Sequence, residues 1–245
     1  MNYNWDWSVF FREVPSGGET YIDWLLSGLG WTLAVAAAAW LIAFVLGSML
    51  GVLRTLPNCV LSGIAATYVE IFRNIPLLVQ LFVWFYVVPE LLPRELGNAI
   101  KQMDPTTSQF LTAFVCLGLF TAARVCEQVR AGIESLARGQ KNAALAVGLT
   151  LRQTYRYVLL PMAFRVIVPP MTSEFLNIFK NSAVALTVGL LELTAQTRQI
   201  TEYTAQTFEA FIVTTVLYLM ITMIVILAMR WVEKRTRVPG YIGTN

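Results

Sequence analysis

Two stretches of the chain, Trp24 to Leu53 and Ala210 to Met229, carry no charge at all. Each is long enough to cross a hydrocarbon core of about 30 Å, for which roughly 20 apolar residues suffice. Between them the apolar runs continue but are interrupted by ions. A second span is predicted from about Cys59 to Val88, with Glu70 and Arg73 inside it and Pro76 bending it. A third is predicted from about Gln109 to Val129 with Arg124 and Glu127, and a fourth from about Pro161 to Leu191 with Arg165, Glu174 and Lys180. Ahead of the first span, Trp5, Trp7, Phe10 and Phe11 alternate with polar residues and predict an amphipathic segment on the membrane surface.

Composition agrees with the pattern: 56% of residues are hydrophobic, 13% are charged and the mean hydropathy is +0.60, so the bilayer is the solvent. The predicted fold class is all-α integral membrane, with about five transmembrane helices and no sizeable soluble domain. A net charge of +3 is too small to point to nucleic acid. The chain has no histidine, and Cys59, Cys116 and Cys126 have no ligand spacing, which argues against a metal site and hydrolytic chemistry. Residues 1–23 lack the basic flank and cleavage site of a signal peptide and are expected to stay attached.

Lysine and arginine orient the spans. Arg130, Arg138, Lys141, Arg152, Arg156 and Arg165 face one acid, Glu134, between the third and fourth spans; the tail holds Arg230, Lys234, Arg235 and Arg237 against Glu233. Both stretches are predicted to be cytoplasmic. Acids dominate the start of the chain and the connection holding Glu192, Glu202 and Glu209. Five spans with the N-terminus outside and the C-terminus inside satisfy these asymmetries. The division is then a periplasmic or interfacial segment 1–23, a transmembrane domain 24–232 with a cytoplasmic segment 135–160, and a cytoplasmic tail 233–245.

The 135–160 segment is the longest cytoplasmic connection. Helix formers stand on either side of Gly148, with small residues Ala143, Ala144 and Ala146 before it, so the stretch predicts two short helices and a turn. Small side chains there admit another surface close to the backbone. Asn142-Ala143-Ala144, Gly148 and Val158-Leu159-Leu160-Pro161 together resemble the cytoplasmic Glu-Ala-Ala loop of importer permeases of ATP-binding cassette transporters. Asn142 stands where that family usually has glutamate. The resemblance extends to FRNIPLLVQ at Phe72 to Gln80, to Glu127 and Arg130, to Gly139-Gln140 and to Lys180-Asn181-Ser182, and is specifically to the polar amino acid subfamily.

That resemblance implies a MetI-like permease fold in the bacterial inner membrane. It also implies a second permease or copy of this chain, two cytoplasmic ATPase subunits that bind ATP and Mg2+, and a periplasmic solute-binding protein. The sequence has no phosphate-binding loop of the form G-x-x-x-x-G-K-[S/T], so the chain is not expected to be an enzyme and energy must enter from another subunit. Gly139, Gln140, Asn142, Ala143, Ala144, Gly148 and Pro161 are the expected ATPase-coupling residues.

FTAARVCEQVR at Phe120 to Arg130 resembles the glutamate and aspartate branch, because Arg124 stands where related permeases commonly have an aromatic residue. A guanidinium can hold a carboxylate in bidentate fashion. Arg124 is therefore the first candidate for the solute's side-chain carboxylate, the alternative being an ion pair with Glu127 or Glu70 that only joins helices. Gln80, Thr121, Glu174, Asn177, Lys180 and Ser182 are further solute-binding candidates. Glu70, Arg73, Glu127 and Arg130 are candidates for a gate or for helix pairing. The triplet Pro161, Pro169 and Pro170 predicts a broken fourth helix, and Gly47 with Gly51 predicts close helix contact. A rival reading is an ion-coupled secondary transporter in which Glu70, Glu127 and Glu174 carry protons, although no convincing internal repeat supports it.

Overall fold

A computed structural model describes residues 3–136 and 138–236; the tail beyond Thr236, with Arg237, lies outside the described residues, as does Ala137 in the coupling segment. Eleven α-helices are found among the described residues, with no strand beyond the isolated bridge Glu13–Thr20. Four helical stretches are long and apolar enough to cross a membrane: Tyr21–Thr55 (α1), Pro105–Glu134 (α6), Leu151–Val188 and Thr207–Thr236 (α11). Cys59–Asn74 (α2) and the helical stretch Leu77–Leu91 are apolar enough when taken together to count as a fifth, interrupted candidate.

The expected bend at Pro76 is a full break. Proline lacks an N–H and restricts the residue before it to extended backbone, and Ile75 has φ −95°, ψ 129°. Leu77–Phe82 (α3) restarts beyond it, widens into a π-helix at Val83–Val87 and closes as Val88–Leu91 (α4). Arg94–Lys101 (α5) then connects to α6, which begins four residues earlier and ends five later than the hydropathy predicts.

The fourth span corrects the sequence reading more sharply. It starts at Leu151 rather than Pro161, through Leu151–Thr154 (α8) and a π-helix at Tyr155–Leu159, and Leu160–Asn181 (α9) runs unbroken through Pro169 and Pro170 before a 3-10 helix at Ser182–Val188. Each π-helix ends two residues before a proline, Pro89 in one case and Pro161 in the other. A proline ring pushes away the carbonyl four residues back, and a widened turn accommodates that displacement. Where water is scarce the remaining ladder is too costly to open, so two prolines thin the helix without ending it.

Among the described residues, 3–39, 76–117 and 177–224 form one compact body; those of 40–75, 118–176 and 225–236 form another. In the first, the 3-10 helix Trp7–Phe11 inserts Val9 and Phe10 into a cluster with Val14, Tyr21, Leu25, Leu193, Ile200 and Ala210. Trp5, Trp7 and Phe11 remain exposed. The amphipathic segment thus uses part of its apolar side on its own protein. Tyr3 Oη donates to Glu209 Oε2 at 2.5 Å and the Asp6 amide donates to Oε1 at 2.7 Å.

Leu193–Thr204 (α10) is amphipathic rather than spanning and is capped by Glu192, which is fully buried. That carboxylate accepts from the amides of Thr194 and Ala195 at 3.0 and 2.9 Å, and from Tyr218 Oη at 3.2 Å. Burial pushes its carboxyl above the usual carboxylate range, against the pull of those donors.

In the second body α1 and α6 meet through glycine. A Cβ on Gly47 would lie 2.6 Å from the Ala122 carbonyl oxygen and 2.6 Å from Val125 Cβ; on Gly51 it would lie 2.6 Å from Val129 Cβ. The core continues through Ala43, Val125, Val129 and Ile133 against Tyr155, Leu159, Ala163, Ile167 and Met171. Gly47→Ala is expected to force these helices apart at a cost of about 1–3 kcal/mol. A lowered apparent Tm of the purified protein checks this, and an unchanged Tm would mean that the contact is not tight.

Candidate functional site

The charged residues of the second body gather where α2, α6 and α9 each turn a polar side chain to one space. That space is a cavity of about 220 Å³ lined by Arg73, Arg124, Glu127, Gln128 and Glu174. Arg73 comes from the last turn of α2, just before the break at Pro76. Arg124, Glu127 and Gln128 come from α6, and Glu174 from α9.

Glu174 is 8% exposed, yet its Oε2 accepts no hydrogen bond among the described residues. The nearest cation, Arg124 Nη1, is 3.9 Å away, an ion pair without hydrogen-bond contact. Arg124 is 44% exposed at its side chain, and its guanidinium lies 5.1 Å from the Phe120 ring centre. The aromatic face steadies the cation without consuming its donors. Arg124 thus meets neither of the partners considered from sequence: Glu70 accepts from Asn74 Nδ2 at 2.9 Å, and Glu127 is engaged elsewhere.

Glu127 is shared by two guanidiniums. Arg54, at the end of α1, reaches Oε1, while Arg130 donates to Oε2 through Nε at 3.2 Å and Nη2 at 2.9 Å. Arg130 Nη1 also donates to Glu134 Oε2 at 2.7 Å. The chain Arg54–Glu127–Arg130–Glu134 leads to a second cavity, of about 420 Å³, lined by Arg54, Thr55, Glu134, Lys141 and Tyr155 among others. Tyr155 Oη donates to the Thr55 carbonyl at 2.7 Å and fastens the π-helix at Tyr155–Leu159 to the end of α1. Arg54 escaped the sequence reading because the charge-free run stops at Leu53; the only available signal was a cation one residue past a span.

The remaining solute candidates are not brought to this cavity. Thr121 is buried at 2% exposure on α6 and does not line it. Gln80, Asn177, Lys180 and Ser182 belong to the other body, where Ser182 Oγ donates to the Phe179 carbonyl at 2.7 Å. Asn177 is half-buried and Lys180 exposed.

The segment expected to couple to the ATPase forms Arg138–Ala146 (α7), a turn, and α8. Gly148 has φ +88°, which L side chains rarely adopt, and it lets the amides of Gly148 and Leu149 close back on the carbonyls of Leu145 and Ala144. Thr150 and Gln153 then cap α8 reciprocally. Among the described residues a Cβ on Gly148 would meet nothing within 4 Å beyond its immediate chain neighbours, so backbone conformation rather than crowding requires glycine. Of the small residues, Ala144 is buried, while Gly139, Asn142 and Ala143 are exposed and Gln140 half-buried. Leu145, Val147 and Tyr157 project from this region, Val147 at 79% exposure, and Pro161 follows exposed on α9.

Residues 43–238 match the family described as binding-protein-dependent transport system inner membrane component. The chain is 53% identical over 244 residues, 99% of both chains, to the glutamate/aspartate import permease protein GltJ of Escherichia coli K12. It is 32% identical to GltK, the glutamate/aspartate import permease protein of E. coli O6:H1, over 96% of this chain and 99% of that one. Among solved structures, an amino acid ABC transporter with histidines superimposes with a TM-score of 0.73 at 27% identity, covering 88% of this chain and 95% of the other. The inward-facing MetNI methionine ABC transporter shares the fold, with a TM-score of 0.75 at 23% identity over 89% and 98% of the chains. With its long apolar helices and paired ions, the chain is a multi-pass membrane protein that belongs to the family of binding-protein-dependent transport system inner membrane components.

Proposed function

We propose that this chain is a permease subunit of an ATP-driven importer that passes glutamate and aspartate across the bacterial inner membrane. The observation that carries this reading is the 53% identity with a glutamate/aspartate import permease along essentially the whole of both chains. The importer is completed by a second permease, two cytoplasmic ATPase subunits holding ATP and Mg2+, and a periplasmic binding protein that delivers the solute. The chain contributes passage and no chemistry of its own. Its part in coupling is to present α7, the Gly148 turn and α8 to the ATPase; the exposed apolar side chains of Leu145 and Val147 support a docking surface there.

Within the permease, Arg124 is the residue that holds the side-chain carboxylate. Its guanidinium is open to the cavity and is steadied by Phe120 rather than neutralised by a close carboxylate. In proteoliposomes containing the whole importer, uptake of radiolabelled glutamate is expected to follow ATP inside and to ignore a proton gradient. Gradient-driven uptake without ATP would favour the ion-coupled carrier instead. Arg124→Gln is expected to cut glutamate uptake by about tenfold or more, the effect of losing one charge-assisted contact. Unchanged uptake at equal expression would leave Arg124 with a purely structural role.

A further inference from the structure

The charge-free run from Ala210 to Met229 rises about 30 Å along α11, the thickness of one hydrocarbon core. The residues from Arg230 onward therefore stand at headgroup depth, and the surplus of lysine and arginine among them assigns this end to the cytoplasmic leaflet. One face of the helix carries the change of solvent. Ile224, Leu227 and Trp231 follow one another at i+3 and i+4, and each exposes more than half of its surface. The next positions on that face are Lys234 and Arg235, both exposed. Glu233, the sole acid among the described residues from 230 on, falls on the opposite side at about 100° per residue.

The cations on this face are held in place but not neutralised. The Arg235 guanidinium carbon lies 4.4 Å from the Trp231 ring centre. Among the described residues neither Lys234 nor Arg235 pairs with an acid within 4 Å. Stacking on the indole leaves the guanidinium's donors free at its edge. An indole is itself at home at headgroup level, and long cationic side chains reach from an apolar stripe toward phosphates. A protein partner gives no reason for contact to turn from apolar to cationic at the depth where the charge-free run ends. A phospholipid does, because its acyl chain gives way to phosphate there.

We propose that this end of α11 binds an anionic phospholipid of the cytoplasmic leaflet. One acyl chain lies along Ile224 and Leu227, and the phosphate is held by Lys234 and Arg235 beside the Trp231 indole. The contact fixes the depth of α11 in the leaflet. It is independent of which solute is carried, since it requires only that α11 spans a membrane with its C-terminal end in the cytoplasm.

The test uses the complete importer in lipid nanodiscs, with Cys59→Ser removing the exposed thiol, Cys116 and Cys126 left buried, and Leu227→Cys carrying a bimane label. Quenching by dibrominated phosphatidylglycerol is compared with quenching by dibrominated phosphatidylcholine. The anionic lipid is expected to reach half-quenching at a mole fraction lower by about fivefold or more, and high salt is expected to narrow the gap. Lys234→Gln combined with Arg235→Gln is expected to bring the two lipids level, whereas Glu233→Gln, on the other side of the helix, is expected to leave the preference intact. Equal quenching by both lipids in the parent would overturn the headgroup site, and absence of quenching by either would put a protein chain on this face instead. A shift with Glu233→Gln as large as that of the double variant would trace the preference to net charge and overturn the site as well. If the double variant does not insert, Arg235→Gln alone is expected to lose most of the preference, and an unchanged preference would refute the assignment.

Discussion

Glu127→Gln is expected to destabilise the permease more than any other single change in its polar interior. The carboxylate stands between Arg54 of α1 and Arg130 of α6, and its side chain is 20% exposed. Removing the anion leaves two guanidiniums facing each other at reduced hydration, and breaking a largely buried pair from one side costs about 3–5 kcal/mol. Arg130 retains Glu134, so most of the loss falls on Arg54. For a chain of this size the apparent Tm of the purified protein should fall by roughly 6–20 °C. Arg54→Met combined with Glu127→Leu removes both charges and should recover much of that loss, because a matched apolar pair replaces an ion pair at little net cost. If Glu127→Gln left the Tm unchanged, the two arginines would not depend on this carboxylate. The same variant bears on the rival reading: a proton-carrying Glu127 predicts normal stability and lost gradient-driven uptake, whereas a carboxylate bridging two arginines predicts lowered stability with residual uptake still driven by ATP.

The architecture was legible in the sequence wherever one physical quantity dominated. Charge-free runs at 24–53 and 210–229 became α1 and α11, and the Gly47–Gly51 spacing became a close approach to α6, because hydropathy and side-chain size decide those outcomes locally. Pro76 predicts a bend and makes a break, a difference of degree. Pro169 and Pro170 predict a break and the helix runs through both, since proline propensity competes with the cost of opening backbone hydrogen bonds and the sequence does not reveal which wins. The site was legible only as an inventory. Arg124, Glu127 and Glu174 could be listed as intramembrane ions, but which cation meets which anion depends on helix rotation and register. Thus Glu174 rather than Glu70 or Glu127 lies nearest Arg124, and Arg54, from a different helix, takes Glu127. Gln80, Asn177, Lys180 and Ser182 carry suitable chemistry at positions that belong to the other body, a distinction that composition does not encode.

Gly148→Asp is expected to leave the importer assembled in the membrane and to abolish uptake. The residue has φ +88°, where an L side chain is strained by about 1–2 kcal/mol and aspartate is among the better tolerated. That strain is too small to unfold the spans, and among the described residues nothing beyond the glycine's immediate chain neighbours lies within 4 Å of the new Cβ. The effect therefore arises outside the chain: the turn between α7 and α8 gains a bulky anion on a surface whose neighbours Leu145 and Val147 are apolar and exposed. Burying an uncompensated carboxylate against a partner costs several kcal/mol, enough to uncouple the ATPase from the spans. Gly148→Ala separates the two contributions, since it carries the backbone strain without the charge and should retain a measurable fraction of uptake. The measurements are ATP-driven glutamate uptake in proteoliposomes and recovery of the ATPase with the purified permease. Wild-type uptake by Gly148→Asp would remove the docking role from this turn, whereas equal losses in both variants would trace the effect to backbone strain alone.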